Sequence, residues 1–208
     1  MTKTITLYIL ALFFVIPATA QIDSVEHSRK LLYYFNGGIG LYLPTSTHGA
    51  LHETGFASSF QFQVDYKKHY FSRLFLDQYN IAFSTKLTDN DGSQLTLKGK
   101  VPTTMIGLDA GYNWHIKKFS PYIFTGAGIA ITDVPILEQT SKPGNTTLTT
   151  QSQSAFSFRG GVGVDYKISR FFILYFESQF LSFPITTQIY NGNLNGISLQ
   201  VGFKTPLQ

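Results

Sequence analysis

The sequence predicts an all-β chain closed as an eight-stranded antiparallel up-and-down barrel, and three observations carry that prediction. Apolar residues recur at every second position in one segment after another, the period of a strand with two chemically different faces. The connections between these segments are alternately very short and long. Only 13% of the 208 residues are charged while 15% are aromatic, against roughly 25% charged in an ordinary soluble domain. An apolar share of 43% excludes wholesale disorder, and the lack of cysteine excludes a disulfide scaffold, a thiolate nucleophile and a Cys-ligated metal. The pI of about 9.2 rests on 16 Lys and Arg against 12 Asp and Glu with no long basic run, so charge points to no nucleic-acid partner.

The chain begins with Lys3, an apolar run from Ile5 to Ile16, and then Pro17, Ala18, Thr19 and Ala20. This is the order of a cleaved export signal, with cleavage expected between Ala20 and Gln21. The run is too short for a spanning helix of about 20 residues. Residues 1–20 are therefore read as signal peptide and 21–208 as one barrel domain.

The first expected strand, 33–43, places Phe35, Ile39, Leu41 and Leu43 on one face. The second, 56–67, alternates without a break: Phe56, Phe60, Phe62, Val64 and Tyr66 oppose Ala57, Ser59, Gln61, Gln63 and Asp65. In the third, 70–84, Leu74 and Leu76 fit one register and Tyr79, Ile81 and Phe83 the other, so a β-bulge is expected near Asp77 and Gln78. Strand four, 104–116, sets Ile106, Leu108, Tyr112 and Trp114 against Gly107, Asp109, Gly111 and Asn113. Strand five, 121–132, carries Ile123, Ala127, Ile129 and Ile131. Strand six, 156–168, sets Phe156, Phe158, Val162, Val164 and Tyr166 against Ser157, Arg159, Gly161, Gly163 and Asp165. Segments 172–182 (Phe172, Leu174, Phe176, Phe180) and 197–203 (Ile197, Leu199, Val201, Phe203) complete the set.

Tight turns are expected at Lys67–His69, Lys117–Ser120 and Ser169–Arg170, and long polar loops over roughly 44–54, 85–100, 133–154 and 184–195. The Ser, Thr, Gln and Asn content of 139–154 reads as an exposed flexible loop. The unit of strand, long loop, strand and tight turn recurs on the order of every fifty residues. Alternation does not say which face is outside. The other face does, because it mixes glycines with Ser, Gln and a few charges, whereas a soluble exterior would be rich in Lys, Glu and Asp. The apolar face is thus expected to meet lipid, with Tyr66, Tyr112, Trp114, Tyr122, Tyr166 and Tyr175 as an interfacial girdle near the tight turns. Strands satisfy their backbone in lipid only by closing, and eight strands leave a lumen that side chains fill.

The export signal, the eight alternating segments, the stretch Pro121-Tyr122-Ile-Phe-Thr-Gly-Ala-Gly128 and the closing Gly202-Phe203-Lys204 resemble the small outer-membrane β-barrel families of the OmpA/OmpX and PorT-like type. The likeness covers the whole chain after the signal. One departure is that Phe203 is followed by Lys-Thr-Pro-Leu-Gln, where such barrels often end on an aromatic. The resemblance implies an integral protein of a Gram-negative outer membrane with both termini periplasmic. Its partners would be outer-membrane lipids and, during biogenesis, the barrel-assembly machinery, with an unidentified surface or periplasmic protein left open.

Seven ionisable residues are expected to face the lumen: Asp65, Arg73, Asp77, Asp109, Arg159, Asp165 and Glu177. Charges within a membrane span are costly and read first as functional, but in a narrow barrel Arg159 neutralising Asp109 or Glu177 is the simpler expectation. The leading expectation for function is non-enzymatic, an envelope-structural or surface-interaction role through the four long extracellular loops. A lipid A-modifying barrel enzyme, the alternative function, needs a nucleophile, a His and an acid near the outer rim. His48 and His52 with Ser46 and Glu53 are the set on that side, whereas His27, His69 and His115 fall elsewhere. A soluble lipocalin-like ligand carrier is the other alternative. His48, His52 and Glu53 make a weak metal signal, and Asp89-Asn-Asp91-Gly92 is half of a calcium loop without its later acid. No catalytic residue, metal site or cofactor is assigned. The basic residues at the tight turns, Lys67, Lys68, Lys117, Lys118, Lys167 and Arg170, fall at the level of lipid headgroups.

Overall fold

The computed structural model describes residues 31–45, 51–67, 69–88, 94–139, 146–185 and 193–207. The eight strands are β1 (Leu31–Pro44), β2 (Leu51–Tyr66), β3 (Tyr70–Thr88), β4 (Gln94–Asn113), β5 (Phe119–Gln139), β6 (Thr146–Lys167), β7 (Ile173–Ser182) and β8 (Gly196–Leu207). Each pairs antiparallel with the next, and β8 returns to β1 with Leu43 opposite Ile197 and Tyr33 opposite Leu207. Closure leaves no edge through the body of the sheet, which an apolar outer face in lipid requires. The start of β1 and the end of β8 lie at the end of the barrel that carries the tight turns.

The apolar face points outward: Phe60 is 57% exposed, Leu108 61% and Phe158 56%. The polar face points in, where Asp77 and Glu177 are fully buried. At the tight-turn end the outer surface carries Tyr66, Tyr70, Trp114, Phe119, Phe171 and Phe172, all exposed. Tyr70 meets Tyr112 edge to face with centroids 5.2 Å apart, and Tyr112 meets Trp114 in the same way at 5.1 Å.

The third strand corrects the sequence reading. There is no bulge at Asp77 and Gln78: β3 pairs with β4 in one register from Tyr70↔Tyr112 to Thr88↔Gln94. Phe71, Arg73, Phe75, Asp77, Tyr79 and Ile81 all face inward, and Leu74, Leu76, Gln78 and Asn80 outward. The apparent change of phase is a change of environment along one unbroken strand. Beyond Leu76 the outer face turns polar, as it leaves the apolar band, while the lumen turns apolar. The register shift of this region lies in β2 instead, between Glu53 and Phe56.

Two expected loops are also corrected. Residues 85–88 and 94–100 extend the β3–β4 hairpin, and 133–139 and 146–154 extend the β5–β6 hairpin to Gln139↔Thr146. Their Thr-containing composition suits two-stranded ribbons as well as it suits loops, because β-branched Thr is favoured in strands. The ribbons part where β4 and β5 stop pairing, at Thr103↔Thr132. The next residue of β4 is Pro102, which has no amide hydrogen to carry a ladder onward.

Candidate functional site

The inward residues of the barrel form two zones. The first, from the tight-turn end to mid-barrel, is polar. At its base the Lys204 ammonium donates to Asp165 Oδ2 at 2.6 Å, and Gln63 Nε2 donates to Asp65 Oδ1 at 2.6 Å. Next comes Arg73, 2% exposed, whose Nη1 donates to Glu177 Oε2 at 2.7 Å and to Gln61 Oε1 at 3.1 Å. Its Nε reaches Asp109 Oδ2 at 3.1 Å. Arg159 lies further along the lumen. It holds Asp109 through Nε and Nη2, and Asp77 through Nη1. Asp109 thus joins the two guanidinium groups, and Asp77 also accepts from Ser59 and from the Tyr79 hydroxyl.

Aromatic faces complete the shell around the cations. Phe124 lies 4.2 Å from Arg73 Cζ and 5.6 Å from Arg159 Cζ, and Arg159 Cζ is 3.4 Å from the Phe75 centroid. The negative ring faces offset part of the lost hydration of the guanidinium groups. Arg73, Arg159 and Lys204 face Asp65, Asp77, Asp109, Asp165 and Glu177, so cations alone do not balance this zone. Neutral donors add to them, Tyr79 to Asp77, Tyr122 to Glu177 Oε2 at 2.9 Å, Ser59 to Asp77 and Gln63 to Asp65, while Asp165 Oδ1 and Glu177 Oε1 have no partner within the protein.

The second zone, toward the long hairpins, is apolar. Tyr42, Tyr79, Ile81, Val101, Met105, Val134, Leu181 and Phe183 pack there with Ile185 and Leu194, each no more than 3% exposed. Phe183, Ile185 and Leu194 come from the connection between β7 and β8. Tyr42 donates to Leu194 O at 2.7 Å, and the Phe183 amide donates to Asn195 Oδ1 at 2.8 Å. The described ends of the connection, 183–185 and 193–195, are thereby tied to each other and to β1. Tyr79 belongs to both zones: its ring packs on Tyr42 and Phe183 with centroids 5.4 and 5.6 Å away, and its hydroxyl bonds Asp77 and accepts from Gln179 Nε2 at 3.1 Å.

The structure places all seven expected lumen charges inward and buried, and joins Arg73, Asp77, Asp109, Arg159 and Glu177 in one network. Asp65 and Asp165 lie apart from that network, nearer the rim, with Lys204. The partner of Glu177 is Arg73, whereas Arg159 takes Asp77 and Asp109. Tyr122 and Tyr175 are corrections, being 3% and 2% exposed and pointing into the lumen and not to the girdle. Tyr66, Trp114 and Tyr166 are on the outer face at 43%, 47% and 36%, and Tyr112 is half-buried there.

The reason for the correction is space. Tyr122 stands opposite Gly163, and Tyr175 opposite Gly202. A Cβ at Gly163 would strike the Tyr122 ring, and one at Gly38 the Tyr175 hydroxyl. Inward tyrosines therefore lie over inward glycines, Tyr122 over one on the adjacent strand and Tyr175 across Gly202 of β8 as far as Gly38 of β1. Sequence reasoning missed Phe71, Phe75, Phe124, Gln179 and Lys204 as lumen groups. Parity offered a signal: Tyr122 and Phe124 are in step with Gly126 and Gly128, out of step with Ile123 and Ile129.

Of the outer-rim set, Glu53 is exposed and pairs loosely with Lys98 at 3.6 Å. His52 is within β2, opposite Phe83. Ser46, His48, the cleavage pair Ala20 and Gln21, His27, Lys68 and the Asp89–Gly92 run lie outside the described residues. At the tight turns, the His69 ring is stacked on Tyr112 at 5.6 Å and approached edge-on by His115 at 5.7 Å. Among the described residues no group of three or more His, Cys, Asp or Glu is arranged to hold a metal.

A closed barrel with an apolar belt and a polar, filled lumen defines a β-barrel membrane protein. The chain belongs to the outer membrane protein beta-barrel domain family, whose sequence pattern matches residues 7–204. The family points to the Gram-negative outer membrane. Several solved outer-membrane barrels share the fold. Neisserial surface protein A superposes with a TM-score of 0.56 at 13% identity, over 83% of this chain and 96% of that one. Ail, the attachment invasion locus protein of Yersinia pestis, solved with the heparin analogue sucrose octasulfate, gives 0.52 at 9% over 85% and 98%. OprG of Pseudomonas aeruginosa gives 0.51 at 11% over 84% and 95%. No curated protein sequence matches significantly.

Proposed function

We propose that this outer-membrane barrel is neither a pore nor an enzyme, and that it acts through what it displays beyond the membrane, the two long ribbons and their connecting loops. The tight turns and both chain termini face the periplasm in this reading, and the ribbons face outward. The filling of the lumen supports it. The charge network uses the interior of the lower barrel to bond the wall to itself, and the aromatic and aliphatic layer occupies the next level above it. An interior used as a core holds strands in register and presents a rigid base for ribbons.

The test is reconstitution in a planar bilayer after the folded state has been verified by the gel shift between boiled and unboiled samples. A heat-sensitive shift with no conductance steps is expected, and regular steps would overturn the plugged-barrel reading. An epitope inserted within 140–145 should be labelled on intact cells. The lipid A of cells expressing the protein should keep its mass, since a changed acyl pattern would favour the enzyme.

A further inference from the structure

We propose that the tight-turn rim is a collar for anionic phospholipid headgroups, an inference that rests on the barrel being embedded in a bilayer. Lys67, Lys117, Lys118, Lys167 and Arg170 are all exposed there. They occupy the three turns that join β2 to β3, β4 to β5 and β6 to β7, and so are distributed around the rim. Among the described residues no exposed Asp or Glu opposes them at this end. Asp65 and Asp165 are 6% and 7% exposed and face inward.

The backbone adds an independent observation. Lys67 and Lys117 adopt positive φ, 51° and 57°, and are the only non-glycine residues described that do so. Glycine or asparagine enters that region with less strain, so both turns hold a lysine at some conformational cost. Ile116 and Phe119 close the second of these turns through paired backbone hydrogen bonds of 2.8 and 2.9 Å, which fixes Lys117 and Lys118 at its tip. Just inside the turns the outer surface is aromatic, with Lys67 Nζ 5.1 Å from the Tyr66 ring. Aromatic rings at headgroup depth with ammonium groups one step further out match an apolar chain ending in a phosphate. A single acidic protein would need the charges gathered in one patch, whereas charges dispersed around a rim suit many small anions packed side by side.

Trp114 provides the readout, being the one tryptophan in the sequence and exposed at this rim. The full chain is folded into vesicles containing either brominated phosphatidylglycerol or brominated phosphatidylcholine, and quenching of Trp114 is compared. At low salt the anionic lipid should be favoured about fivefold over the zwitterionic one, and 1 M salt should abolish the preference, as on the order of 3 Å of screening length implies. The variant Lys117→Gln/Lys118→Gln/Lys167→Gln/Arg170→Gln should quench equally with both lipids, and Lys117→Gln/Lys118→Gln serves if the fourfold variant folds poorly. Equal quenching of the unaltered protein, or a preference that persists in the variants, overturns the collar, the former leaving these turns to an acidic protein. The heat-shift gel separates the two readings: a folded, inserted barrel with no lipid preference sinks the collar alone, and failure to insert sinks the membrane assignment.

Discussion

The lower and upper halves of the lumen fill the same kind of space with opposite chemistry. Around Arg73 and Arg159 the strands are joined by directional, charged hydrogen bonds, so each group has a few possible positions and a high penalty for losing its partner. Around Tyr42, Tyr79 and Phe183 they are joined by packing, which is less directional and relaxes partly when a side chain is trimmed. Register is therefore set more strictly in the lower half. The upper half packs the lumen and anchors the described ends of the connection between β7 and β8.

Substitutions separate these roles, read as urea unfolding in lipid vesicles by gel mobility. The largest effect is expected from Arg159→Met, which leaves Asp77 and Asp109 without their main counter-charge. Breaking one side of such a buried network costs about 3–5 kcal/mol. Arg159→Met combined with Asp77→Asn should recover part of that loss. If the double variant were no more stable than the single, the penalty would lie in packing against Phe75 and not in charge. In the apolar half, Leu181→Ala should cost about 2–4 kcal/mol through the cavity it leaves. Its effect should be insensitive to salt, since an apolar side chain carries no charge to screen, although Leu181 stands directly opposite Arg159 and the two losses are not additive.

Tyr79 tests the boundary between the halves. Tyr79→Phe keeps the ring on Tyr42 and Phe183 but removes the hydrogen bond to Asp77, at a cost of about 1.5–3 kcal/mol. Because the hydroxyl and Arg159 share Asp77, the combination with Arg159→Met should depart from additivity by at least roughly 0.5 kcal/mol. Strict additivity would mean that the two zones are energetically separate despite their shared carboxylate.

The fold was legible because a membrane barrel writes its wall into the sequence at period two, and segments 56–67, 104–116 and 156–168 show both faces at once. The lumen charges were legible for the same reason, since a charge on the polar face of such a strand has nowhere else to point. The upper lumen was not. Tyr79 and Ile81 are apolar residues on the inward parity, and a rule that sends apolar residues outward has to shift the strand to accommodate them. The parity of Asp77 already contradicted that shift. Similarly, hairpin extensions with many Thr, Ser and Gln residues have the composition of loops, and their pairing is visible only through the partner strand.

The tyrosines give the smallest and sharpest form of the comparison. Tyr66 and Tyr122 look alike in the sequence, as girdle residues near the tight turns, yet one is exposed and the other buried against Arg73 and Glu177. Tyr122→Phe removes a donor from a carboxylate whose other oxygen, Oε1, has no partner within the protein, so it should lower stability by about 1.5 kcal/mol or more. Tyr66→Phe alters a hydroxyl at the lipid–water boundary, where water replaces what is lost, and should stay within about 0.5 kcal/mol of the parent. Equal effects would mean that the Tyr122 hydroxyl has water of its own inside the barrel, reaching it past the orphaned Glu177 oxygen.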